Sequence, residues 1–225
     1  MGHKLFILIT IYTVMHYCFD LDGTLFRIDV AKEAAIRRSK TLGEQFDPEW
    51  LEEAMKTDAH YKVNKRLISN YTGVKEDREL TIMMTDLFKF HYLGVVNEMK
   101  KDALYPGIET LIKKLYEEKN TLSIATTLRK DIVELALDRL GLKDKFRYIA
   151  GSDAELSKNK YQLVKEVGDF VDQIDYMIGD KSDDIKAGQA FDAKGVLVAW
   201  GSHKSYDGAD KIVQTPKELY SYLTK

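Results

Sequence analysis

Short apolar runs alternate with amphipathic stretches along most of the 225-residue chain. Five of these runs are typical of buried strands: residues 17–19, 122–125, 148–150, 176–180 and 195–198. Apolar residues recur at helical spacing between and after the later runs, in residues 111–115, 131–140, 160–167 and 184–191 and from Pro216 onward. Strands that alternate with helices predict an α/β fold: a Rossmann-like, doubly wound parallel sheet with right-handed crossovers.

The segment between the first and second strands breaks this alternation. Asp29 is a candidate N-cap for a helix that Gly43 ends, residues 47–49 form a second helix start, and residues 80–99 keep helical spacing. We therefore expect an inserted α-helical cap, although a plain scaffold role is an alternative. The predicted division of the chain is a core of residues 16–27 and 104–225, a helical cap of residues 28–103 and an apolar extension of residues 1–15.

Composition narrows the possible partners. The 34 basic and 36 acidic residues nearly cancel, and no basic stripe or acidic tail is present, so we expect no nucleic-acid partner. The apolar run from Leu5 to Met15 is too short to span a bilayer, so we expect no membrane partner, and Met15 is a plausible alternative start. The single cysteine, Cys18, is expected to be a core residue and fits a reducing, cytoplasmic location. Oligomeric state is not readable from these features.

Two carboxylates follow the first apolar run directly. Asp20 and Asp22 come one residue apart after Phe19, and Gly23 and Thr24 form the turn beyond them. Ligands of parallel α/β sheets bind at the carboxyl ends of the strands, so both acids are expected at the mouth of a site. Glycine gives the freedom that a tight turn beneath a ligand requires. A strand that ends in a common Asp-Gly turn is the plainer alternative.

Three further polar clusters fall at or after the ends of later strands. They are Thr126 with Thr127, a lysine at position 158 or 160, and Asp180 with Asp184. Each has an ordinary structural alternative: a strand-end cap, a solvated charge, and a turn into a capped helix. In this order, and each near a strand end, they indicate one site.

The chemistry of these residue types points to phosphoryl transfer. Two carboxylates about 5 Å apart repel by roughly 3 kcal/mol at an effective dielectric of about 20, so several in one crevice need a cation. Oxygen ligands together with a phosphate favour Mg²⁺, and the sequence offers no Cys/His cluster for zinc. Asp20 would attack phosphorus to form an aspartyl-phosphate, and Asp22 would protonate the leaving oxygen and then activate water. The candidate phosphate contacts are Gly23, Thr24, Thr126, Thr127 and Lys160.

These motifs resemble those of the haloacid dehalogenase-like hydrolases. Residues 19–25 resemble the first motif of that family, residues 124–126 the second and residues 178–185 the fourth. Residues 104–107 and 198–201 are similar to flanking signatures of its phosphoglycolate phosphatase-like branch, which carries a helical cap between the first and second motifs.

The resemblance implies a Mg²⁺-dependent phosphatase that acts on a small phosphorylated metabolite. It implies that Asp20, Asp180 and the backbone carbonyl of Asp22 bind Mg²⁺, with Asp184 either a further ligand or an acid behind the ligands. One alternative is a phosphomutase of the β-phosphoglucomutase type. An alternative of another class is a non-catalytic phosphate sensor or scaffold on the same fold.

Two positions depart from the pattern of the branch. Neither Lys158 nor Lys160 is followed by the proline usual at the third motif. Leu163 and Val164 follow Lys160 at the spacing of a related form of the motif, so Lys160 is the favoured lysine. Thr127 stands where asparagine is frequent. Both departures bear on the identity of the substrate more than on the reaction.

Overall fold

The computed structural model describes residues 14–41, 78–153 and 158–224. The strands in these ranges are β1 (His16–Phe19), β2 (Thr121–Arg129), β3 (Tyr148–Ser152), β4 (Tyr176–Gly179), β5 (Lys194–Val198) and β6 (Lys211–Val213). The helices are α1 (Ile28–Thr41), α2 (Arg78–Met99), α3 (Ile108–Glu117), α4 (Lys130–Arg139), α5 (Lys160–Val171), α6 (Ser182–Gln189) and α7 (Pro216–Leu223). Short 3₁₀ turns span Lys100–Ala103 and Lys143–Lys145.

Some predicted features lie outside these ranges. They are the helix end at Gly43, the second helix start at residues 47–49 and most of the N-terminal extension. Of the helices in the described part of the chain, none has both the length and the apolar character needed to cross a membrane.

The six strands form one parallel sheet in the order β3-β2-β1-β4-β5-β6. β1 lies between β2 and β4, with Phe19 in register with Ile124 on one side and Ile178 on the other. The strand order reverses at β1, which makes its carboxyl end the place where such sheets bind ligands. The predicted doubly wound α/β fold is confirmed. β6 was missed, because three residues are too few to show a strand pattern.

The pleat of β1 divides the core into two parts. Tyr17 and Phe19 point into a large apolar cluster, whereas Cys18 points into a smaller one with Leu163 and Val164 of α5. Alternation along a strand sends neighbouring side chains to opposite faces, and here both faces are covered by helices. The apolar run that ends at Phe19 therefore reflects a strand that is buried on both sides.

Helices α1 and α2 pack against each other and share their apolar core with the sheet. Small residues of α1, such as Ala31 and Ala34, face the larger Phe88 and Tyr92 of α2 in the same buried cluster. These two helices form the described part of the predicted cap. The cap limits of residues 28–103 stay a prediction.

His16, at the start of β1, is held as a neutral imidazole. Its Nδ1 lies 2.8 Å from the backbone carbonyl of Gln173, which can only accept, so Nδ1 carries the proton. Its Nε2 then accepts from the hydroxyl of Ser123 at 2.8 Å. Burial lowers the pKa of His16, and the Gln173 carbonyl and the nearby Asp175 only partly offset this effect.

Because His16 is buried and neutral, we expect the free energy of unfolding to decrease in acid. Its pKa is lower in the folded state, so the unfolded chain takes up the proton first as the pH falls below about 6.5. The free energy of unfolding of the wild type, relative to that of His16→Gln, should therefore fall between about pH 7.5 and about pH 5, by at most about 1.4 kcal/mol per pH unit. Urea unfolding across this range measures it. A relative stability that is constant with pH would contradict the assignment.

Candidate active site

Three buried carboxylates meet at the carboxyl end of the central strands. Asp20 follows β1, Asp180 follows β4 and Asp184 lies in the first turn of α6. One oxygen atom from each lies within 4.8 Å of the others, and the residues are 7%, 0% and 1% exposed. The backbone N–H of Asp20 donates to the carbonyl of Ile178 at 2.8 Å, which continues the pairing of β1 with β4. The sheet itself thus sets the distance between the first two acids.

Lys160 is the cation at the centre of this cluster. Its Nζ donates to Asp20 Oδ1 at 2.5 Å, to Asp184 Oδ1 at 2.9 Å and to the backbone carbonyl of Ala125 at 2.8 Å. These three acceptors belong to three different parts of the chain. The ammonium group therefore ties together the end of β1, the middle of β2 and the start of α6.

The start of α5 explains why Lys160 and not Lys158 points into the site. Asn159 caps the helix: its side chain accepts from the backbone N–H of Gln162 at 2.9 Å, and the Gln162 side chain accepts in return from Asn159 N at 2.9 Å. Lys160 is then the first helical residue. Lys158 lies before the cap, and its ammonium group contacts Glu166 at 2.7 Å and Asp153 at 3.4 Å.

Asp184 is bound to the protein through both of its oxygens. Oδ1 accepts from Lys160, and Oδ2 accepts from the backbone N–H of Lys181 at 3.0 Å in a capping arrangement at the start of α6. A Cβ on Gly179 would lie 2.3 Å from that of Asp184, so glycine is required for this close approach. These contacts indicate that Asp184 holds Lys160 in place and is less suited to bind a metal directly.

Asp180 offers the oxygen best suited to a cation. Oδ2 accepts from the backbone N–H of Ser202 at 2.7 Å. Oδ1 is buried and has no hydrogen-bond partner in the described part of the chain. Gly23 lies against this carboxylate at a φ of +90°, and a Cβ there would come within 2.1 Å of Oδ2. Oδ1 receives no hydrogen bond from the described residues and lies beside two more carboxylates. Such a group of oxygen ligands suits a hard cation such as Mg²⁺.

The side chain of Asp22 lies outside the carboxylate cluster. Its Oδ1 accepts from the hydroxyl of Tyr92, on α2, at 2.8 Å. The predicted Mg²⁺ contact of this residue through its backbone carbonyl stays a prediction. Tyr92 was not among the predicted site residues, because it lies 70 positions after Asp22 and no motif surrounds it.

Thr24 lies in the turn after β1, whereas Thr126 and Thr127 lie within β2, because this strand runs to Arg129 and not to the predicted end at residue 125. Thr24 is buried, and its Oγ1 has no hydrogen-bond partner among the described residues. Its backbone carbonyl accepts from the indole N–H of Trp200 at 3.0 Å, which fixes the turn. Thr126 is buried next to the carbonyl that Lys160 binds, and its Oγ1 accepts from Leu128 N at 3.2 Å. Thr127 is half-buried.

The electrostatics of the cluster follow from burying more negative than positive charge. Burial raises the pKa of Asp20 to about 7; Lys160 opposes this shift, and Asp184 and Asp180 add to it. Burial, and then Asp184, raise the pKa of Asp180 as well. Burial alone would lower the pKa of Lys160, but Asp184 and Asp20 outweigh it and hold that pKa above its ordinary value. Lys181 partly opposes the shift of Asp180. Among the described residues, three buried carboxylates and one buried ammonium group leave an attraction for a further cation.

Cys18 takes no part in this chemistry. It is fully buried in the core beneath the site, and burial raises the pKa of its thiol to about 12. A thiol of this pKa stays protonated at neutral pH and is a poor nucleophile. The interpretation of Cys18 as a core residue agrees with this environment.

Residues 17–198 match the family model described as haloacid dehalogenase-like hydrolase. The chain belongs to this family. A phosphoglycolate phosphatase of Aliivibrio fischeri is 25% identical over 216 residues, which cover 91% of this chain and 92% of that protein. The predictions of family and of a phosphoric monoester hydrolase are confirmed at this level.

Solved structures with the same fold are similar over nearly the whole chain. CbbY from Rhodobacter sphaeroides, in complex with phosphate, has a TM-score of 0.74 at 19% identity and covers 92% of this chain and 96% of its own. β-Phosphoglucomutase from Clostridium difficile has a TM-score of 0.72 at 21% identity and covers 94% of this chain and 96% of its own. At these identities the likeness establishes the fold and leaves the substrate open.

The two lysines provide a matched test of the site. Lys160→Ala removes the only ammonium group that the described residues place on Asp20, so the kcat for p-nitrophenyl phosphate should fall by at least about two orders of magnitude. Lys158→Ala removes a partly exposed ion pair and should stay within about threefold of the wild type. Circular dichroism checks that both variants fold. A larger loss in Lys158→Ala would move the active-site lysine to that position.

Proposed function

We propose that the protein is a Mg²⁺-dependent phosphatase that hydrolyses a small phosphorylated metabolite through an aspartyl-phosphate on Asp20. The observation that carries the proposal is the contact of Asp20 with Lys160, beside Asp180 and Asp184, at the end of the central strand. A buried carboxylate held by an ammonium group at a switch point of the sheet is well placed to attack an anion.

Asp20 is the nucleophile in this proposal because it ends the central strand and contacts the active-site lysine. Its backbone is paired to β4, and its Oδ1 is fixed by Lys160. The ammonium group reduces the repulsion between the carboxylate and an incoming phosphate. Attack by an Asp20 oxygen on phosphorus forms the acyl phosphate and releases the alcohol of the substrate. Water then attacks phosphorus, which releases inorganic phosphate and restores the Asp20 carboxylate.

Asp180 and Asp20 are the side chains proposed to hold Mg²⁺, together with the backbone carbonyl of Asp22. Oδ1 of Asp180 supports this assignment, because no group in the described ranges donates a hydrogen bond to it. When bound, Mg²⁺ supplies positive charge that offsets the carboxylates and the phosphate in the same crevice. Asp184 keeps Lys160 in place, because both of its oxygens already accept hydrogen bonds from the protein.

Asp22 is proposed to move the protons of the reaction. It lies past the end of β1, beyond the nucleophile, in a turn closed by hydrogen bonds from Leu25 N and Phe26 N to the carbonyl of Leu21. Its side chain faces α2, outside the carboxylate cluster. From there it would give a proton to the leaving oxygen and later take one from water. Thr24, Thr126 and Thr127 are the proposed hydroxyl contacts of the phosphate, and Gly23 gives it a close approach to the backbone.

The class of substrate is proposed from the relatives. Several curated relatives are named phosphoglycolate phosphatase, and CbbY has also been solved with xylulose 1,5-bisphosphate. Both ligands are small, anionic and phosphorylated. The likeness to β-phosphoglucomutase is one of fold, and no contact among the described residues favours transfer to a sugar over transfer to water.

Chelation and one matched pair of variants test the metal assignment. EDTA should abolish release of phosphate from phosphoglycolate or p-nitrophenyl phosphate, and added Mg²⁺ should restore it. Asp180→Asn should raise the Mg²⁺ concentration for half-maximal activity at least about tenfold, because it weakens a ligand. Asp183→Asn, at an exposed neighbouring carboxylate, should leave this concentration unchanged. Full activity in chelator, or equal effects of the two variants, would contradict the proposed metal site.

A further inference from the structure

Tyr92 makes a contact from α2 into the site that the proposed reaction does not yet use. Its hydroxyl donates to Asp22 Oδ1 at 2.8 Å. The ring is fully buried against Phe26 and Phe88, with centroid distances of 6.4 and 5.7 Å. The tyrosine is thus fixed by packing at one end and by a carboxylate at the other.

The direction of this hydrogen bond is set by charge. Burial, and then the negative charge of Asp22, raise the pKa of Tyr92 well above its ordinary value. The phenol therefore keeps its proton at neutral pH and acts as the donor. A hydrogen bond from a neutral donor to a carboxylate is stronger than one between two neutral groups, so it restricts the side chain of Asp22.

Polar contacts on either side of Tyr92 hold α2 against the core. Lys89 forms an ion pair with Asp131 of α4. Arg139 Nη1 donates to the carbonyl of Leu93 at 2.5 Å. Because these contacts lie within one turn of Tyr92, they fix the height and the rotation of its hydroxyl over Asp22.

The backbone around Asp22 fixes the position of the residue but not the orientation of its carboxyl group. Thr24 N, Leu25 N and Phe26 N all donate to the carbonyl of Leu21, so the turn itself is rigid. These bonds place the Cα of Asp22 but leave the rotation about its side-chain bonds undetermined. Proton transfer depends on that rotation, because the carboxyl oxygen must reach the leaving group.

We infer that Tyr92 is a positioning residue that holds the Asp22 carboxyl group in the orientation required for proton transfer, and that it does so when α2 is docked on the core. The inference rests on the proposed role of Asp22. It also gives α2 a part in the reaction, because this helix carries Tyr92, which aligns Asp22. A tyrosine that only fills the core would have no effect through Asp22.

Tyr92→Phe tests the inference, with Tyr17→Phe as the matched control. Both changes remove one hydroxyl from a buried tyrosine and keep the ring; the hydroxyl of Tyr17 donates to the carbonyl of Leu223 at 2.9 Å, away from the carboxylates. The measurement is kcat/KM for phenyl phosphate and for p-nitrophenyl phosphate, because phenolate is the poorer leaving group and needs the proton more. Thermal unfolding of both variants compares their stability.

The expected result is specific to the leaving group. For phenyl phosphate, kcat/KM of Tyr92→Phe should fall about 10- to 100-fold, as for loss of one hydrogen bond to a charged group. The fall should be smaller for p-nitrophenyl phosphate. Tyr17→Phe should change kcat/KM only slightly, and by the same factor for both substrates. In the Asp22→Asn background, Tyr92→Phe should lower kcat/KM by less than about a further twofold, because the two residues act as a unit.

The outcomes separate this inference from the proposed function. If Asp22→Asn lowers activity but Tyr92→Phe behaves like Tyr17→Phe, or its effect is additive with that of Asp22→Asn, the positioning role is overturned and the proposed function stands. If Asp22→Asn itself keeps wild-type activity on phenyl phosphate, the assigned role of Asp22 fails, and the inference fails with it.

Discussion

The site depends on one ammonium group among three buried carboxylates. At 2.9 Å an ammonium–carboxylate pair gains about 6 kcal/mol at an effective dielectric of about 20. Burying each ion costs several kcal/mol, so the cluster adds little to stability and its value is chemical. Lys160 balances only part of the negative charge beside Oδ1 of Asp180, which has no hydrogen-bond partner among the described residues. That imbalance is what makes the crevice attractive to a divalent cation and, once the cation is bound, to a phosphate.

Besides Lys160, contacts with the backbone hold this cluster in place. Asp20 extends the pairing of β1 with β4, Asp184 caps α6, and the segment after β5 returns so that Ser202 N binds Asp180. Close approaches at Gly23 and Gly179 leave no room for a Cβ. Groups placed by the main chain lose little entropy when a ligand binds, so a crevice of this kind is preorganised. The helix α2 adds a further long-range side-chain contact, from Tyr92 to Asp22.

Part of this arrangement could be predicted from the sequence because Asp20 and Asp180 each follow an apolar strand directly. An apolar run precedes Asp20 and another precedes Asp180. Because both runs are parallel strands, the two acids lie at the same edge of the sheet. The choice of Lys160 over Lys158 followed from Leu163 and Val164, which pack in the core beneath α5 and so orient that helix. Tyr92 could not be predicted, since a helical pattern identifies the buried face of α2 but not the atom that its hydroxyl meets.

The central claim is that Asp20 accepts the phosphoryl group. The most direct measurement is the intact mass of Asp22→Asn after mixing with acetyl phosphate and Mg²⁺, followed by peptide fragmentation. In that variant the acyl phosphate should form and hydrolyse slowly, since loss of the general base costs about 10²- to 10⁴-fold. The account predicts one added phosphoryl group on Asp20, and none in Asp20→Asn. A phosphoryl group on another residue, or turnover by Asp20→Asn, would contradict it.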